Sequence, residues 1–353
     1  MKQILLLASL LQTIICVSQS VPTKLPSSPK QIVVDSRDNL IIHCYMGRMV
    51  KIAPDGTMTV ITDDIQKGFR NPYPKSVAMA IDAMDILYFT DGELIWKMNA
   101  TGAISHFIGL PYMARRTDGS AAVACFRSIE YLECDPTGGI FVVERDNTNK
   151  DGKGDYYVIR KISTDLQVST LTDTRNNPAL LSSWIAGTGV DASGNLYLSD
   201  GAGRCIKKLA KDGSISILAG LCNKREFNPL YIQGDISKAE LMSPEDIEIN
   251  SRNEIVFADL RLNRIIKIAD RKVATVAGAS VIQPNSVNIG GRSKEGYKDG
   301  PALSALFSFP PLVKIARDSR DNIYIIDGGN DCIRKLSADG KVSTLAKRAE
   351  AVK

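Results

Sequence analysis

Short runs rich in Ile, Val, Leu, Tyr and Thr recur along this chain, each broken by a cluster of Asp, Asn, Gly or Ser. The C-terminal stretch shows the pattern most fully. LVKIARD ends at Asp318 and is followed by Ser319-Arg320-Asp321-Asn322. IYIID ends at Asp327 before Gly328-Gly329-Asn330, CIRKLS runs to Ala338-Asp339-Gly340, and KVSTL closes the unit. β-branched and aromatic residues between tight-turn residues predict four short strands joined by hairpins. A sheet of that size cannot bury both faces alone and needs copies to stack against.

The copies are present. Aligned on the Asp or Asn that ends the first run, they are marked by Asp35, Asp82, Asp135, Asp191, Asn250 and Asp318. The third runs agree closely (MVKI, IRKI, IKKL, IIKI, IRKL), and Asp-Gly turns at Asp55-Gly56, Asp212-Gly213 and Asp339-Gly340 precede the fourth runs. Asp-Gly between two β runs is a strong hairpin signal. The unit is constant while the inserts between units vary, and no amphipathic helical pattern of useful length intervenes. The expectation is an all-β fold, a six-bladed β-propeller of four-stranded antiparallel blades spanning 31–346.

Several blades are preceded by a second motif: Thr117-Asp118-Gly119 leading to Cys125-Phe126, Gly234-Asp235 leading to Ser243-Pro244, and Lys298-Asp299-Gly300 leading to Phe309-Pro310. Together with the β run ending in Asp and the I-[RK]-K-[LI] third run, these residues resemble an NHL-repeat propeller, over about 30–346. Copies four to six carry the pattern well and copies one to three are degenerate. The resemblance implies the fold but does not fix a function, since one propeller serves enzymes, receptors and scaffolds.

The flanks change the picture by adding an address. Met1-Lys2-Gln3, an apolar run from Ile4 and small residues Ser18 and Ser20 read as a secretory signal peptide over 1–20. An extended Pro-rich arm follows over 21–30, and a short tail at 347–353. No later stretch is long and apolar enough for a membrane span, so a secreted, extracellular protein is expected. Without Lys2 the net charge is near +4, from 43 basic and 39 acidic residues. With charges spread along the chain there is no basic stripe and no case for nucleic acid.

Cys16 leaves with the leader, and the six remaining cysteines permit disulfides. Cys205 and Cys222 flank the Asp212-Gly213 hairpin, suggesting a Cys205–Cys222 staple within one blade. Cys44 and Cys332 lie near corresponding turns of the first and last blades, suggesting a Cys44–Cys332 bond across the ring closure. Cys125 and Cys134 have no assigned partner. Asn99-Ala100-Thr101 is a glycosylation sequon in a hairpin turn.

Two constellations carry candidate chemistry. Asn147, Asn149, Asp151 and Asp155, with the Lys153 carbonyl, follow N-x-N-x-D-G-x-x-D. This is similar to the calcium hairpin of integrin-type propellers, and its alternating oxygens suit Ca2+; Lys150 and Lys153 dilute its charge. In the innermost strands the repeat register brings Glu130, Glu133, Glu245, Asp246 and Glu248 toward a central channel, opposite Lys30 and Lys314. Converging carboxylates there suit a cation or a basic ligand. Among NHL-type catalysts the peptide-amidating lyase builds zinc from three histidines, and with only His43 and His106 that zinc site cannot be assembled. The expected function is a non-enzymatic binding or scaffold module presenting loops 108–125, 221–243 and 279–310 to an extracellular protein, glycan or matrix partner. The alternative is a calcium-dependent hydrolase or lyase using the channel carboxylates, with lactonases and strictosidine-synthase-like propellers as the implied comparison.

Overall fold

The structure, a computed structural model, describes residues 22–65, 77–111, 115–146, 156–173, 184–222, 233–250, 252–279 and 295–349. Six antiparallel sheets follow one another along the chain, each built in the order of its strands. Blade one comprises Pro29–Val34, Leu40–Cys44, Met49–Ile52 and Met58–Thr62. Blade six comprises Val313–Arg317, Ile323–Asp327, Cys332–Leu336 and Lys341–Arg348. The first strands of the blades are Pro29–Val34, Met79–Ile81, Ile129–Cys134, Ile185–Val190, Pro244–Ile249 and Val313–Arg317. Each packs beside the next, and the sixth returns to the first, so the sheets close into a ring about a central channel.

Alternation along the strands explains how the ring holds. Each blade turns one set of side chains to the blade before it and the other set to the blade after. The outcome is six separate apolar cores, one per seam. Ile323, Ile325 and Leu336 of blade six face blade five, while Tyr324, Ile326 and Ile333 face blade one. The turn after each first strand is fixed by the residue that marks the repeat. Asp318 Oδ1 accepts the backbone N–H of Arg320 and Asn322 at 3.0 and 2.9 Å, and its other oxygen accepts from Asn322 and Tyr324. Asp191 repeats the arrangement with Ser193, Asn195 and Tyr197.

The same turns clasp neighbouring blades. Asp38, Asp85 and Asp321 occupy the left-handed position of the turn, with φ of 62°, 60° and 62°, where short polar side chains are tolerated. The Asp85 carboxylate takes both the N–H and the hydroxyl of Ser36 at 2.7 Å, and Asp38 takes both from Ser319 at 2.8 Å. Arg252 reaches Asp321 at 3.5 Å. Seams five–six, six–one and one–two are thereby tied at one end of the ring.

The stretch expected as an extended arm is in fact part of the ring. Thr23–Leu25 pairs in parallel with the outer strand of blade six, Thr23 opposite Ala346 and Leu25 opposite Arg348. Leu25 is fully buried in the core between blades six and one. Short strands also cap blades three, five and six, at Gly119–Ser120, Gly234–Asp235 and Gly300–Pro301.

Two buried guanidinium groups explain the second sequence motif. Arg334 is fully buried and donates to Asp299 at 2.6 and 3.0 Å, to Asp327 at 2.9 Å and to the carbonyls of Lys298 and Leu306. Arg160, equally buried, does the same with Asp118, Glu144 and the carbonyls of Thr117 and Cys125. Each guanidinium thus pins the connection entering its blade onto that blade's third strand. Blade five carries Ile266 in this place, and Gln233 stands where Asp118 and Asp299 stand, still accepting from Thr275. The cation and the carboxylate of the incoming connection are exchanged together for a neutral pair, while Asp259 keeps the place of Glu144 and Asp327 and accepts the backbone N–H of Met242, Ser243 and Leu262.

Candidate functional site: the central channel

Because successive strands reverse, the start of every first strand and the turn between second and third strands lie at one end of the ring. The long connections 63–78, 109–128, 174–184, 221–243 and 278–312 begin and end there, and the tight Asp-marked turns lie at the other end. Tyr45 (59% exposed), Met46 (70%) and Trp184 (41%) stand at the loop end.

Between the ends runs a polar cavity of about 210 Å³. Tyr131, Glu133, Asp246, Glu248, Lys314 and Arg317 supply most of its chemistry. Lys314 Nζ lies 3.0 Å from Asp246 Oδ1 and 5.0 Å from the centre of the Tyr131 ring, an ammonium held between a carboxylate and an aromatic face. Asp246 also accepts the Ile315 N–H at 2.9 Å, tying blade five to blade six. The Tyr131 hydroxyl donates to the Ile185 carbonyl at 3.1 Å, and Thr188 donates to Glu133 at 2.7 Å. Gly187 allows this crowding, since a β-carbon there would come within 2.6 Å of the Asp246 backbone.

The sequence register is therefore met only in part. Glu133, Asp246, Glu248 and Lys314 line the channel. Glu130, Glu245 and Lys30 do not. Glu245 is buried beside the Ser243 hydroxyl at 3.4 Å, Glu130 lies at 3.4 Å from the Ser128 hydroxyl, and Lys30 sits over the Tyr45 ring. All three stand five residues before the marker, an odd offset that strand alternation turns away from the channel, whereas Glu133 and Glu248 stand two before it and Asp246 and Lys314 four. A β-bulge also lies at this point of the first strands, between Pro29 and Gln31, Ile129 and Tyr131, Ile185 and Gly187, and Pro244 and Ile247. Sequence reasoning missed Thr188 and Arg317. Arg317 donates to the Asp318 carbonyl and Asp321, and its Nε is buried without a partner among the described residues.

Burial pushes the carboxyl groups of Glu245 and Glu248 up to about 8, with Asp246 adding repulsion in both cases; Lys314 opposes the rise at Glu245 and Arg317 opposes it at Glu248. Glu133 is raised well above the usual carboxylate range, again mainly by burial. A carboxyl whose pKa is raised on folding favours the folded state below its ordinary pKa near 4.5. That contribution is lost as pH rises through about 8. Glu248→Gln removes the titration, so wild type and variant should melt together near pH 4.5, with the variant melting progressively higher from pH 5 to 8 and the difference levelling off above that. Scanning calorimetry across that range checks it. Parallel melting at every pH would show that Glu248 does not titrate there.

The cysteines divide. Cys205 and Cys222 form a disulfide with Cα atoms 5.1 Å apart, at the loop end of blade four. The Cys44–Cys332 bond is not formed, and both are free buried thiols. On its strand Cys332 alternates with Ile333 and shares the side of Leu336, toward blade five, whereas Cys44 packs in the core between blades six and one. The blade six sheet lies between them. Cys125 and Cys134 are also free. Asn99 is exposed in its hairpin, with Oδ1 accepting the Thr101 N–H and hydroxyl. The calcium-type residues Asn147, Asn149, Asp151, Lys153 and Asp155 lie outside the described residues. His106 bonds the Gly109 carbonyl and meets Trp96 edge-on.

The ring of six blades and its polar axial channel define a six-bladed β-propeller. No protein-family model and no curated protein sequence matches the chain. Solved structures similar in fold include virginiamycin B lyase of Staphylococcus aureus, at 13% identity over 92% of this chain and 86% of that one, TM-score 0.51. A gluconolactonase of Xanthomonas campestris matches at 12% identity over 91% and 88%, TM-score 0.55. An auxiliary nutrient binding protein of Bacteroides thetaiotaomicron matches at 13% identity over 91% and 70%, TM-score 0.61. At these identities the likeness is one of fold.

Proposed function

We propose that the chain is a secreted, NHL-type binding propeller that presents its loop end to an extracellular protein, glycan or matrix partner. The observation that carries this reading is the asymmetry of the ring. Every long connection enters and leaves at one end, where Tyr45, Met46 and Trp184 expose large apolar surface, while the other end is closed by short bonded turns. The channel groups support it, since Lys314, Tyr131 and Glu133 are each committed to another protein group. The disulfide and the exposed Asn99 sequon suit an exported chain. The test is binding of the mature protein to an extracellular-matrix extract and a glycan array. Retention should fall at least tenfold in a Tyr45→Ala, Met46→Ala, Trp184→Ala variant and persist in Met84→Ala, which alters the 81%-exposed methionine at the turn end. Equal retention by both variants would overturn the assignment of the face.

A calcium site at 147–155 belongs to the same proposal. Asp146 and Tyr156 are register partners in blade three, so the insert leaves and re-enters the sheet at paired positions. Calorimetry with Ca2+ on wild type and Asp151→Ala tests it, with binding expected only in the former. A second reading, a hydrolase or lyase using the channel carboxylates, is favoured by one feature: Glu248 lines the channel and burial pushes its carboxyl up to about 8, the range a general acid requires. Turnover of a lactone or ester panel, abolished by Glu248→Gln, would establish it in place of the binding reading.

A further inference from the structure

We propose that the seam between blades one and two is a proton-operated joint, with the imidazole of His43 as its trigger. His43 lies on the second strand of blade one, two residues from Ile41 and therefore on the same side of the sheet, which packs against blade two. It is 5% exposed, and among the described residues neither ring nitrogen has a hydrogen-bond partner. The corresponding polar residues of other blades are satisfied, with Thr90 bonded to the Leu94 carbonyl and Ser199 to that of Gly187. An imidazole so placed is tolerated while neutral. As an imidazolium it would be a buried charge with two unpaired donors, which folding does not tolerate.

Among the described residues, the surroundings offer it no relief. On its own sheet the charged groups are Lys30 and Lys51, with Arg48 just before the third strand, and all are cationic. Lys30 acts on the ring directly and disfavours its charge. The inner strand of blade two that faces the seam, with Val77 and Ala78 before it, carries none. Asp63 and Asp64 beside Ile65 do not bond to either ring nitrogen, and Asp91 of blade two is committed to the N–H groups of Glu93 and Leu94.

The seam is clasped at its turn end by Asp85 and Ser36, but its core is soft. The inner strand of blade two, Met79–Ile81, is the shortest of the six. The core of this seam relies on Met49, Met79 and Met98, flexible side chains that repack readily. Protonation has a soft joint to act on, so opening should be local.

Burial, helped by Lys30, lowers the His43 pKa from 6.5 to about 4. For a group held neutral on folding, the stabilisation is complete above pH 6.5 and is lost as pH falls toward 4. Those two values give about a 30-fold loss in the closing equilibrium at pH 5. Two measurements on the full mature protein test the joint. With only two histidines in the chain, NMR of ring-labelled histidine should show one imidazole neutral down to about pH 5; ordinary titration of both near 6.5 would overturn the proposal. Hydrogen exchange corrected for intrinsic rates should show roughly 30-fold lost protection from pH 7 to 5 in peptides spanning 40–52 and 77–90, with the blade four–five seam unchanged. His43→Leu should abolish that loss. A loss spread evenly around the wild-type ring would overturn the joint even if the variant did not fold, as would an undiminished loss in a folded variant.

Discussion

Replacing Arg334 by alanine should cost about 3–5 kcal/mol of stability, the range found when one partner of a buried ion pair is removed. The guanidinium has no solvent exposure and bonds two carboxylates and two backbone carbonyls. Removing it strands Asp327, fully buried, and frees the strand at Gly300–Pro301 from its anchor. Asp327 is already raised by burial, with Arg334 among the groups holding it down, so its carboxyl should be raised further in the variant. Arg334→Lys should recover only part of the loss, because an ammonium cannot span Asp299 and Asp327 with planar paired donors. Urea unfolding of the three proteins reads both effects. A loss below 1 kcal/mol in the alanine variant would mean that the clamp is structurally idle.

Leu25→Ala should cost about 2–5 kcal/mol, the usual range for a buried leucine, although the residue lies in a stretch that the sequence alone gives no reason to call structured. Leu25 is fully buried in one core with Ile42, Ile326, Ile333 and Ala346, in the seam that joins the last blade to the first. The loss should appear in hydrogen exchange first at 341–348, the strand that would regain an open edge. Unchanged protection there would show that the arm merely rests on the blade.

Both sites show where the sequence was legible. Blade count, strand order and turn positions follow from local patterns, because a propeller blade is a local object and its marker aspartates act within a few residues of themselves. The Arg334 clamp spans about 35 residues, and the motif halves were visible without the bond between them. Gly234 takes the place of Gly119 and Gly300, with Gln233 where they are preceded by Asp. The channel was half legible. Asp246 and Glu133 stand at even offsets from the marker and face the channel, while Glu130 and Glu245, at an odd offset and beside a bulge, fall away from it. Cys44 and Cys332 were paired by blade adjacency, which ignores the face on which each side chain stands.

The parallel pairing of Thr23–Leu25 with the strand ending at Arg348 also decides how the ring responds to force. Tension entering from the N-terminal side arrives at Thr23, and tension from the C-terminal side arrives at Arg348, beyond the Ala349 N–H that bonds the Leu25 carbonyl. The two pulls therefore act at opposite ends of one strand pair. Such a pair is loaded in shear, with all its bonds strained at once instead of unzipping singly, so a propeller tethered at both ends is locked by the very residues through which it is stretched.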